Sequence, residues 1–217
     1  MANGPETIRF WRGSLPHWEV VDGRYFVTVR LHGSLPAHVV QELSQMGHAL
    51  RERSDNEYLR VSRLMFVKME EWLHQTSGTS SLRQPEIARV VADSIGFCHT
   101  QEFWHVSEWV VMPNHVHLFF RPGSLGMSDM MKKFKEWTSR EANRALGQRR
   151  RRFWQDEWFD HWSRSAEEDE KIRSYIRSNP VRAGLAARVE DWPYGSWSWQ
   201  LPGRKKGSRG TASPTPE

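Results

Sequence analysis

The sequence has little cysteine and no long apolar run, and both absences limit the kinds of protein it can encode. Cys98 is the one cysteine among 217 residues, so no internal disulfide and no cluster of thiolate metal ligands can form. The first residues, MANGPETIRF, lack the apolar core of a signal peptide, and no run reaches the roughly 18 apolar residues of a membrane span. We therefore expect a cytoplasmic protein with no membrane partner.

The composition indicates one globular domain. Hydrophobic residues make up 38% and charged residues 26% of the chain, a balance typical of folded, water-soluble proteins. A chain of 217 residues is long enough for one domain with a sizeable core and short for two. Residues 1–23 contain the breakers Gly13, Pro16 and Gly23, so we expect an arm there that leads into the first strand. We expect one domain over residues 24–201 and a disordered basic tail over residues 202–217.

Hydrophobic periodicity predicts both strands and helices within this domain. Between Arg24 and His32 apolar residues occupy alternate positions, as in a half-buried strand. Met112, Pro113 and Asn114 suit a tight reversal between two further strand-like runs, so we expect a β-hairpin there. The predicted strands cover 24–32, 103–111 and 115–121, and the predicted helices lie near 37–52, 57–75, 84–96 and 127–145.

A capping box predicts where the last helix begins. Ser165 and Glu168 match the pattern S-x-x-E, in which both side chains accept hydrogen bonds from free backbone amides. Asn179 precedes Pro180, and the residue before a proline is pushed out of the helical region. We therefore expect this helix to end near Asn179.

Positive charge is concentrated in one segment. From Lys132 to Arg152 there are nine Lys or Arg residues and two acidic ones, an excess larger than the net charge of +5 for the whole chain. Such a segment is either a solvated helix face followed by a flexible loop or a surface that binds phosphates. The candidate phosphate-binding residues are Lys132, Lys133, Lys135, Arg149, Arg150, Arg151 and Arg152.

Two histidines occupy alternate positions of a predicted strand. His115 and His117 therefore leave the same face of the sheet, where two imidazoles can bind one metal ion. Val116, Leu118 and Phe120 point to the other face. By itself the H-x-H pattern also fits two structural or surface histidines, so it does not establish a metal site.

The helix that follows Ser165 carries polar groups on its apolar stripe. Ile172, Tyr175, Ile176 and Asn179 fall within about 100° of arc at 3.6 residues per turn, so all four turn toward the sheet. One interpretation is a core tyrosine and a capping asparagine. The other is a nucleophile and an amide ligand presented to a metal, since a hydroxyl with a pKa of about 10 needs a Lewis acid to attack a phosphodiester.

Six short segments between about residues 15 and 195 match the motifs of one known family in order and spacing. They are LPHW (15–18), YFVTVRL (25–31), WVVMPNHVHLFF (109–120), FWQ (153–155), YIRSNPVRAGL (175–185) and DWP (191–193). The histidine pair alone is a weak signal, whereas the pair followed by Y-I-x-x-N-P-V-x-x-G-L is specific. The chain thus resembles the REP-associated tyrosine transposases, within the HUH superfamily of single-strand nucleases.

The resemblance implies a role for four residues. His115 and His117 resemble the two histidine ligands of the metal. Tyr175 resembles the nucleophile, and Asn179, one helical turn later, resembles the third protein ligand. Family members use Mg²⁺ or Mn²⁺, whereas ligand chemistry alone leaves Mn²⁺, Zn²⁺ or Fe²⁺, because Mg²⁺ favours sites made of oxygen.

The resemblance also implies a fold. It is α+β, with an antiparallel sheet of ferredoxin-like or RRM-like topology and helices packed on it. The chain departs from the smallest family members by two extra helical stretches, near 57–75 and 84–96, which leave DNA-binding geometry open.

The implied function is that of a DNA transposase that cuts and rejoins hairpin-forming repeats. Attack of Tyr175 on phosphorus gives a 5′-phosphotyrosine and a free 3′-hydroxyl, and a second 3′-hydroxyl reverses the step. The implied partners are single-stranded DNA and hairpin-forming palindromic repeats. The seven basic residues named above then become candidates for DNA binding. A monomer and a homodimer are both compatible with the sequence.

Two other classes of function compete with this one. An RRM-like module could keep the fold and hold nucleic acid without cutting it, although it would have no need for the histidines, the tyrosine and the asparagine together. A metal-dependent amidohydrolase also uses H-x-H at the end of a strand. That class needs further ligands on a repeated βα barrel, for which this chain has neither the repeat nor the length.

Overall fold

The computed structural model of the chain describes residues 6–12, 16–49, 55–75 and 78–199, so the predicted tail lies outside the described residues. No described helix is long and apolar enough to cross a membrane. The elements follow in this order: β1 (Thr7–Arg12), β2 (Pro16–Val20), β3 (Arg24–Arg30), α1 (Ala37–Ala49), α2 (Asp55–His74), α3 (Pro85–Thr100), β4 (Trp104–Val111), β5 (His115–Pro122), α4 (Met127–Ala145), β6 (Phe159–Ser163) and α5 (Ala166–Arg182).

Four strands form one antiparallel sheet in the order β4-β5-β3-β6. Strands β4 and β5 are the predicted hairpin, and β5 also pairs with β3 at the centre of the sheet. Strand β6 pairs with the other side of β3. With helices packed on this antiparallel sheet, the predicted α+β class is confirmed.

The alternation of side chains on β3 and β5 separates the two faces of the sheet. Tyr25, Val27 and Val29 are fully buried on one face, together with Val116 and Leu118 of β5. Helices α3 and α4 cover this face, with Ile87, Val91, Met131 and Phe134 among the buried contacts. The main hydrophobic core therefore lies on the face that carries neither histidine.

The opposite face carries the polar side chains and a smaller core. Phe26 of β3 and Phe119 of β5 pack there against Ile176 of α5. Phe66 of α2 also packs against this cluster. Because α2 and α5 both cover this face, His115 and His117 are enclosed between the sheet and these two helices.

The expectation that the first strand begins after residue 23 is wrong, because two strands lie in the described part of residues 1–23. Strands β1 and β2 form an antiparallel hairpin, so β3 is the third strand of the chain. His17 of β2 is buried and hydrogen-bonds to both Asp160 and Glu157, which fastens the hairpin to the sheet. Glu19 Oε1 accepts a hydrogen bond from the Met127 backbone amide at 2.9 Å. That bond satisfies a free donor at the start of α4, where the N-terminal cap residue is a glycine and supplies no side chain.

Helix α5 begins as predicted and ends one turn later than predicted. Ser165 Oγ accepts from the Glu168 amide at 3.1 Å, although the Glu168 carboxylate accepts from the Arg164 amide rather than from that of Ser165. The helix continues to Arg182 with Pro180 inside it. Gly184, at φ +66°, closes it in a Schellman motif, because the amide of the next residue donates to the Pro180 carbonyl at 2.9 Å. Pro180 thus removes one helical hydrogen bond without ending the helix.

Replacement of Glu19 tests whether the N-terminal hairpin caps α4. We expect Glu19→Ala to lower the free energy of unfolding by about 1–2 kcal/mol, because a helix amide loses its acceptor and the helix dipole loses an anion. Glu19→Gln keeps an oxygen acceptor and should lose about half as much. Urea denaturation measures both changes. Glu6→Ala, at an exposed carboxylate beside the same hairpin, is the control, and equal stability of Glu19→Ala and Glu6→Ala would contradict the assignment.

Candidate metal and tyrosine site

The two histidines predicted as metal ligands face each other on the inner surface of the sheet. His115 and His117 are 1% and 0% exposed, and their Nε2 atoms lie 3.1 Å apart. Their side chains share the face covered by α5, as the alternation along β5 predicted. Two ring nitrogens at this separation can bind one ion between them.

Hydrogen bonds behind the rings orient the histidines. Asn114 Nδ2 donates to the Leu73 carbonyl at 2.8 Å, so its Oδ1 accepts from His115 Nδ1 at 2.7 Å. With the proton on Nδ1, Nε2 of neutral His115 carries a lone pair and points into the site. The Thr28 hydroxyl contacts His117 Nδ1 at 2.9 Å. Such partners behind the ligating nitrogen are typical of histidines that bind metal.

A buried glutamate that the sequence did not single out completes the group. Glu70 Oε2 of α2 lies 3.2 Å from His117 Nε2. The possible ligand atoms of Glu70, His115 and His117 all lie within 4.8 Å of one another. A signal was present in the sequence, because Glu70 lies beside an apolar stripe of α2 formed by Phe66, Met69 and Leu73. Glu70 and the two histidines therefore form a possible metal-binding group.

Tyr175 and Asn179 reach the same group from α5. The Tyr175 hydroxyl donates to Glu70 Oε2, and the ring lies 5.5 Å from that of His117 between centroids. Asn179 is fully buried, and its Nδ2 lies 3.5 Å from Glu70 Oε2. The structure thus brings together the two histidines, the tyrosine and the asparagine that the motifs indicated, and it adds Glu70.

The electrostatics of the group favour an added cation. Burial opposes the charge of Glu70, but His117 and the hydrogen bond from the Tyr175 hydroxyl outweigh it and lower the pKa of the carboxyl, so it is ionised. Burial, and then the neighbouring His117, lower the pKa of His115 to about 3, so this ring is neutral. Glu70 Oε1 and Asn179 Oδ1 are buried and have no hydrogen-bond partner within the described part of the chain. A carboxylate, two imidazoles and an amide oxygen are donors that fit a divalent ion.

The same surroundings hold the tyrosine in its neutral form. Burial and the negative charge of Glu70 raise the pKa of Tyr175 above its ordinary range. The guanidinium of Arg182, two turns further along α5, lies 5.1 Å from the centre of the Tyr175 ring and acts in the opposite direction. Tyr175 therefore has a carboxylate on one side and a cation on the other.

The predicted phosphate-binding residues are only partly brought together. A groove of about 1020 Å³ runs between the C-terminal half of α4 and the loop that follows it. Seven basic side chains and two acidic ones line it. Lys135 and Arg149–Arg152 are among them, whereas Lys132 and Lys133 are exposed on α4 outside the groove. Arg140 and Arg144, which the charge pattern did not single out, contribute two of its cations.

Two of the predicted residues are already bonded within the protein. Lys135 Nζ donates to the Gln155 carbonyl at 2.7 Å, and burial lowers the pKa of this amine to about 8. Arg152 forms an ion pair with Asp156. The cations of the groove most available to an external phosphate are therefore those of Arg140 and Arg149–Arg151, since Arg144 also bonds to an acidic neighbour on α4.

A family model described as Transposase IS200 like matches residues 79–179, a segment that contains both histidines, Tyr175 and Asn179. A curated relative, the REP-associated tyrosine transposase of Escherichia coli (strain K12), is 27% identical over 94 residues. The chain resembles the REP-associated tyrosine transposases. The aligned region is 43% of this chain and 54% of the relative, so the chain spans about half the length of that transposase.

A solved structure supports the same fold. It is entitled "Structure of the REP associates tyrosine transposase bound to a REP hairpin", and it matches with a TM-score of 0.51 at 20% identity. The match covers 83% of this chain and 80% of that transposase. At this identity the likeness concerns the fold.

The family model covers one part of the site and leaves another part outside residues 79–179. Helix α3, which was expected to be an addition to the family, lies inside the matched segment. Helix α2 lies outside it, and so do Glu70 and the β3 residues Thr28 and Arg30. The carboxylate beside the histidines is thus supplied by a region that the transposase family model does not cover.

The neutral state of His115 leads to a testable pH dependence. Its folded pKa of about 3 lies below its ordinary value of 6.5, so the unfolded chain takes up a proton first as the pH falls. We expect the metal-free protein to lose about 1.4 kcal/mol of stability per pH unit below about 6.5 from this residue. His115→Asn should lose correspondingly less between about pH 6.5 and 5. Urea denaturation at each pH with a chelator present measures the slopes.

The control for this experiment is His38→Asn, at an exposed histidine of α1. It should keep the wild-type slope. If His115→Asn also keeps it, His115 is not held neutral in the folded protein.

Proposed function

We propose that this protein is a metal-dependent transposase that cuts and rejoins single-stranded DNA through Tyr175. The observation that carries the proposal is the hydrogen bond from the Tyr175 hydroxyl to Glu70, whose same oxygen contacts His117. A nucleophile and a candidate metal group are thereby joined through one carboxylate oxygen. The resemblance of residues 79–179 to IS200-like transposases supports the same reaction class.

The proposed metal ligands are His115, His117 and Asn179, with Glu70 as an additional oxygen donor. The donor set fits Mn²⁺ by its imidazoles and Mg²⁺ by its oxygens, and these are the two ions that the family resemblance favours. A divalent ion there supplies Lewis-acid polarisation of the scissile phosphate. All these side chains come from one chain, and this site is compatible with both the monomer and the homodimer expected from the sequence.

The proposed chemistry is a transfer of the DNA phosphate to the protein and back. The Tyr175 oxygen bonds to phosphorus as the bond between phosphorus and the 3′ oxygen breaks. The phenolic proton passes to Glu70 Oε2, and the departing 3′ oxygen takes up a proton to become a hydroxyl. A second 3′-hydroxyl then attacks the 5′-phosphotyrosine, which restores Tyr175. The linkage conserves the bond energy, so no ATP is consumed.

Arg182 and the basic groove are the proposed contacts to the DNA backbone. The guanidinium over the Tyr175 ring is placed to bind a phosphate oxygen as negative charge develops during attack. The groove beside α4, at about 1020 Å³, has room for a row of backbone phosphates from a folded hairpin stem. We infer that the partners are single-stranded DNA and hairpin-forming repeats. We also propose the cytoplasmic location expected from the sequence, where the protein would reach cellular DNA.

Tyr175→Phe tests the nucleophile. We expect wild-type protein with Mn²⁺ to form a denaturation-resistant adduct with the 3′-side fragment of a cleaved oligonucleotide, because the enzyme retains the 5′-phosphate. Tyr175→Phe should form no adduct and should still bind the oligonucleotide, since it keeps the ring that packs on Phe26 and Phe66. Gel electrophoresis after denaturation, with 5′-labelled and 3′-labelled substrates, measures the product.

The control is Tyr194→Phe, at a half-buried tyrosine outside the site, which should keep full activity. Chelation of the metal should abolish cleavage by the wild type. Binding without any cleavage would favour the alternative of an RRM-like nucleic-acid-binding module. Cleavage without an adduct would mean that water, and not Tyr175, attacks phosphorus.

Neutralisation of the groove tests its role. We expect Arg149→Gln, Arg150→Gln and Arg151→Gln together to weaken oligonucleotide binding and to reduce its salt dependence. The slope of log K against log salt should fall by about 0.7 for each phosphate that the variant no longer binds. Fluorescence anisotropy at several salt concentrations measures both quantities, in a Tyr175→Phe background that cannot cut.

Lys132→Gln with Lys133→Gln provides the comparison, because these two residues lie outside the groove. Arg89→Gln, at an exposed arginine of α3 outside the groove, is the control for loss of charge alone. A larger effect from Lys132 and Lys133 than from Arg149–Arg151 would place the DNA on the outer face of α4.

A further inference from the structure

Arg30 is a buried cation without an anionic partner among the described residues. It is 9% exposed, and its Nη1 atom has no hydrogen-bond partner in the described part of the chain. None of the ion pairs among the described residues includes it. A buried, unpaired charge is costly to a folded protein, so this arrangement requires a reason.

A small cavity adjoins the guanidinium. Its volume is about 120 Å³, and Arg30 lines it together with Met65 and Met69 of α2. Pockets for whole small ligands measure about 300–1,000 Å³, so a nucleoside is too large for this one, whereas a phosphate group is not. The lining residues Gln155 and Phe159 are partly exposed, which makes the cavity accessible from the surface.

The cavity adjoins the candidate metal and tyrosine site. Arg30 pairs with His115 in the register of β3 and β5, and Thr28 pairs with His117. Directly opposed residues of an antiparallel pair have their Cβ atoms about 5 Å apart. Thr28 lines the cavity and also hydrogen-bonds to His117. The cavity is therefore connected to the histidine pair through Thr28, on the same face of the sheet.

The chemistry of the cavity selects an oxyanion. Burial lowers the pKa of Arg30 to about 10, so the guanidinium is charged at neutral pH. Glu157 is the one carboxylate among the described lining residues, and it is bonded to His17 at 3.1 Å. The planar guanidinium can donate two parallel hydrogen bonds to a phosphate. Much of the remaining wall is apolar, which strengthens such a charge-assisted contact.

We propose that this cavity binds a backbone phosphate of the substrate strand, next to the phosphate that Tyr175 attacks. The proposal rests on the proposed function, because it takes the substrate to be a nucleic acid. It assigns a binding role to β3 and α2, which lie outside the segment matched by the family model. Arg30 would thus position the strand without taking part in bond breaking.

The first experiment asks whether the cavity binds an anion, and it does not depend on transposase activity. Thermal unfolding of the chelated protein is followed in inorganic phosphate and in chloride at equal ionic strength. We expect phosphate to raise the Tm of the wild type and not that of Arg30→Met. Arg30→Met should be at least as stable as the wild type in chloride, because it removes an unpaired buried charge and leaves an apolar side chain.

Two variants complete this experiment. Arg89→Met, at an exposed arginine of α3, should keep the wild-type response to phosphate. Arg30→Lys keeps the charge but not the two parallel donors, so it should show a smaller response than wild type, and it replaces Arg30→Met if the latter fails to fold. An equal phosphate response in wild type and in either Arg30 variant overturns the anion site.

The second experiment asks whether the anion is a DNA phosphate. Oligonucleotides with one neutral methylphosphonate at each position in turn are bound to two proteins, Tyr175→Phe and the double variant Tyr175→Phe with Arg30→Met. We expect one position to weaken binding about tenfold when Arg30 is present and to have no effect in the double variant, because both changes then remove the same contact.

The outcomes of the two experiments distinguish this proposal from the proposed function. A phosphate response without any sensitive position would mean that the anion is not a DNA phosphate, which overturns the assignment of the occupant. A sensitive position that persists in the double variant would place that contact elsewhere and overturn the role of Arg30. Neither result depends on adduct formation by Tyr175, so the phosphotyrosine mechanism is tested separately.

Discussion

The charge of the Glu70 carboxylate is the constraint on which the candidate site depends. A buried anion must be compensated, and here the compensation comes from His117, the Tyr175 hydroxyl and the Asn179 amide. These groups belong to β5 and α5, whereas Glu70 belongs to α2. The carboxylate therefore joins three elements at one point. A cation between Glu70 and the two imidazoles would relieve both the buried charge and the lone pairs of the rings.

The two faces of the sheet contribute differently to stability and to the site. The face under α3 and α4 is almost entirely apolar and provides the main core. The other face carries Thr28, Arg30, His115 and His117 under α2 and α5. Burial of these polar groups costs stability, because water is lost and the compensating bonds are incomplete. Burial of apolar side chains in the core on the opposite face contributes the stability that offsets this cost.

The elements of the fold could be predicted largely from local patterns. Helix α4 begins and ends at the predicted residues, and α1, α2, α3 and the β4–β5 hairpin lie within a few residues of their predicted ranges. Two features of the fold differ from the expectations. The N-terminal hairpin was missed because the breakers in residues 1–23 suggested an arm, and its position depends on contacts of His17 and Glu19 with distant residues. The end of α5 was predicted too early. The hydrogen bonds of the Schellman motif stabilise the last turn of the helix, although Pro180 removes one helical hydrogen bond.

For the candidate site, the sequence by itself determined which residues share a face. The two-residue period of β5 aligned His115 with His117, and the helical period of α5 aligned Tyr175 with Asn179, because each alignment follows from the geometry of one element. The resemblance to tyrosine transposases then related the two elements to each other. Only the tertiary structure brought Glu70 to His117, 47 residues away in sequence, and left the Arg30 guanidinium without a counter-ion among the described residues. The periodicity of a single strand or helix cannot predict such contacts, because they depend on how α2 packs across the sheet.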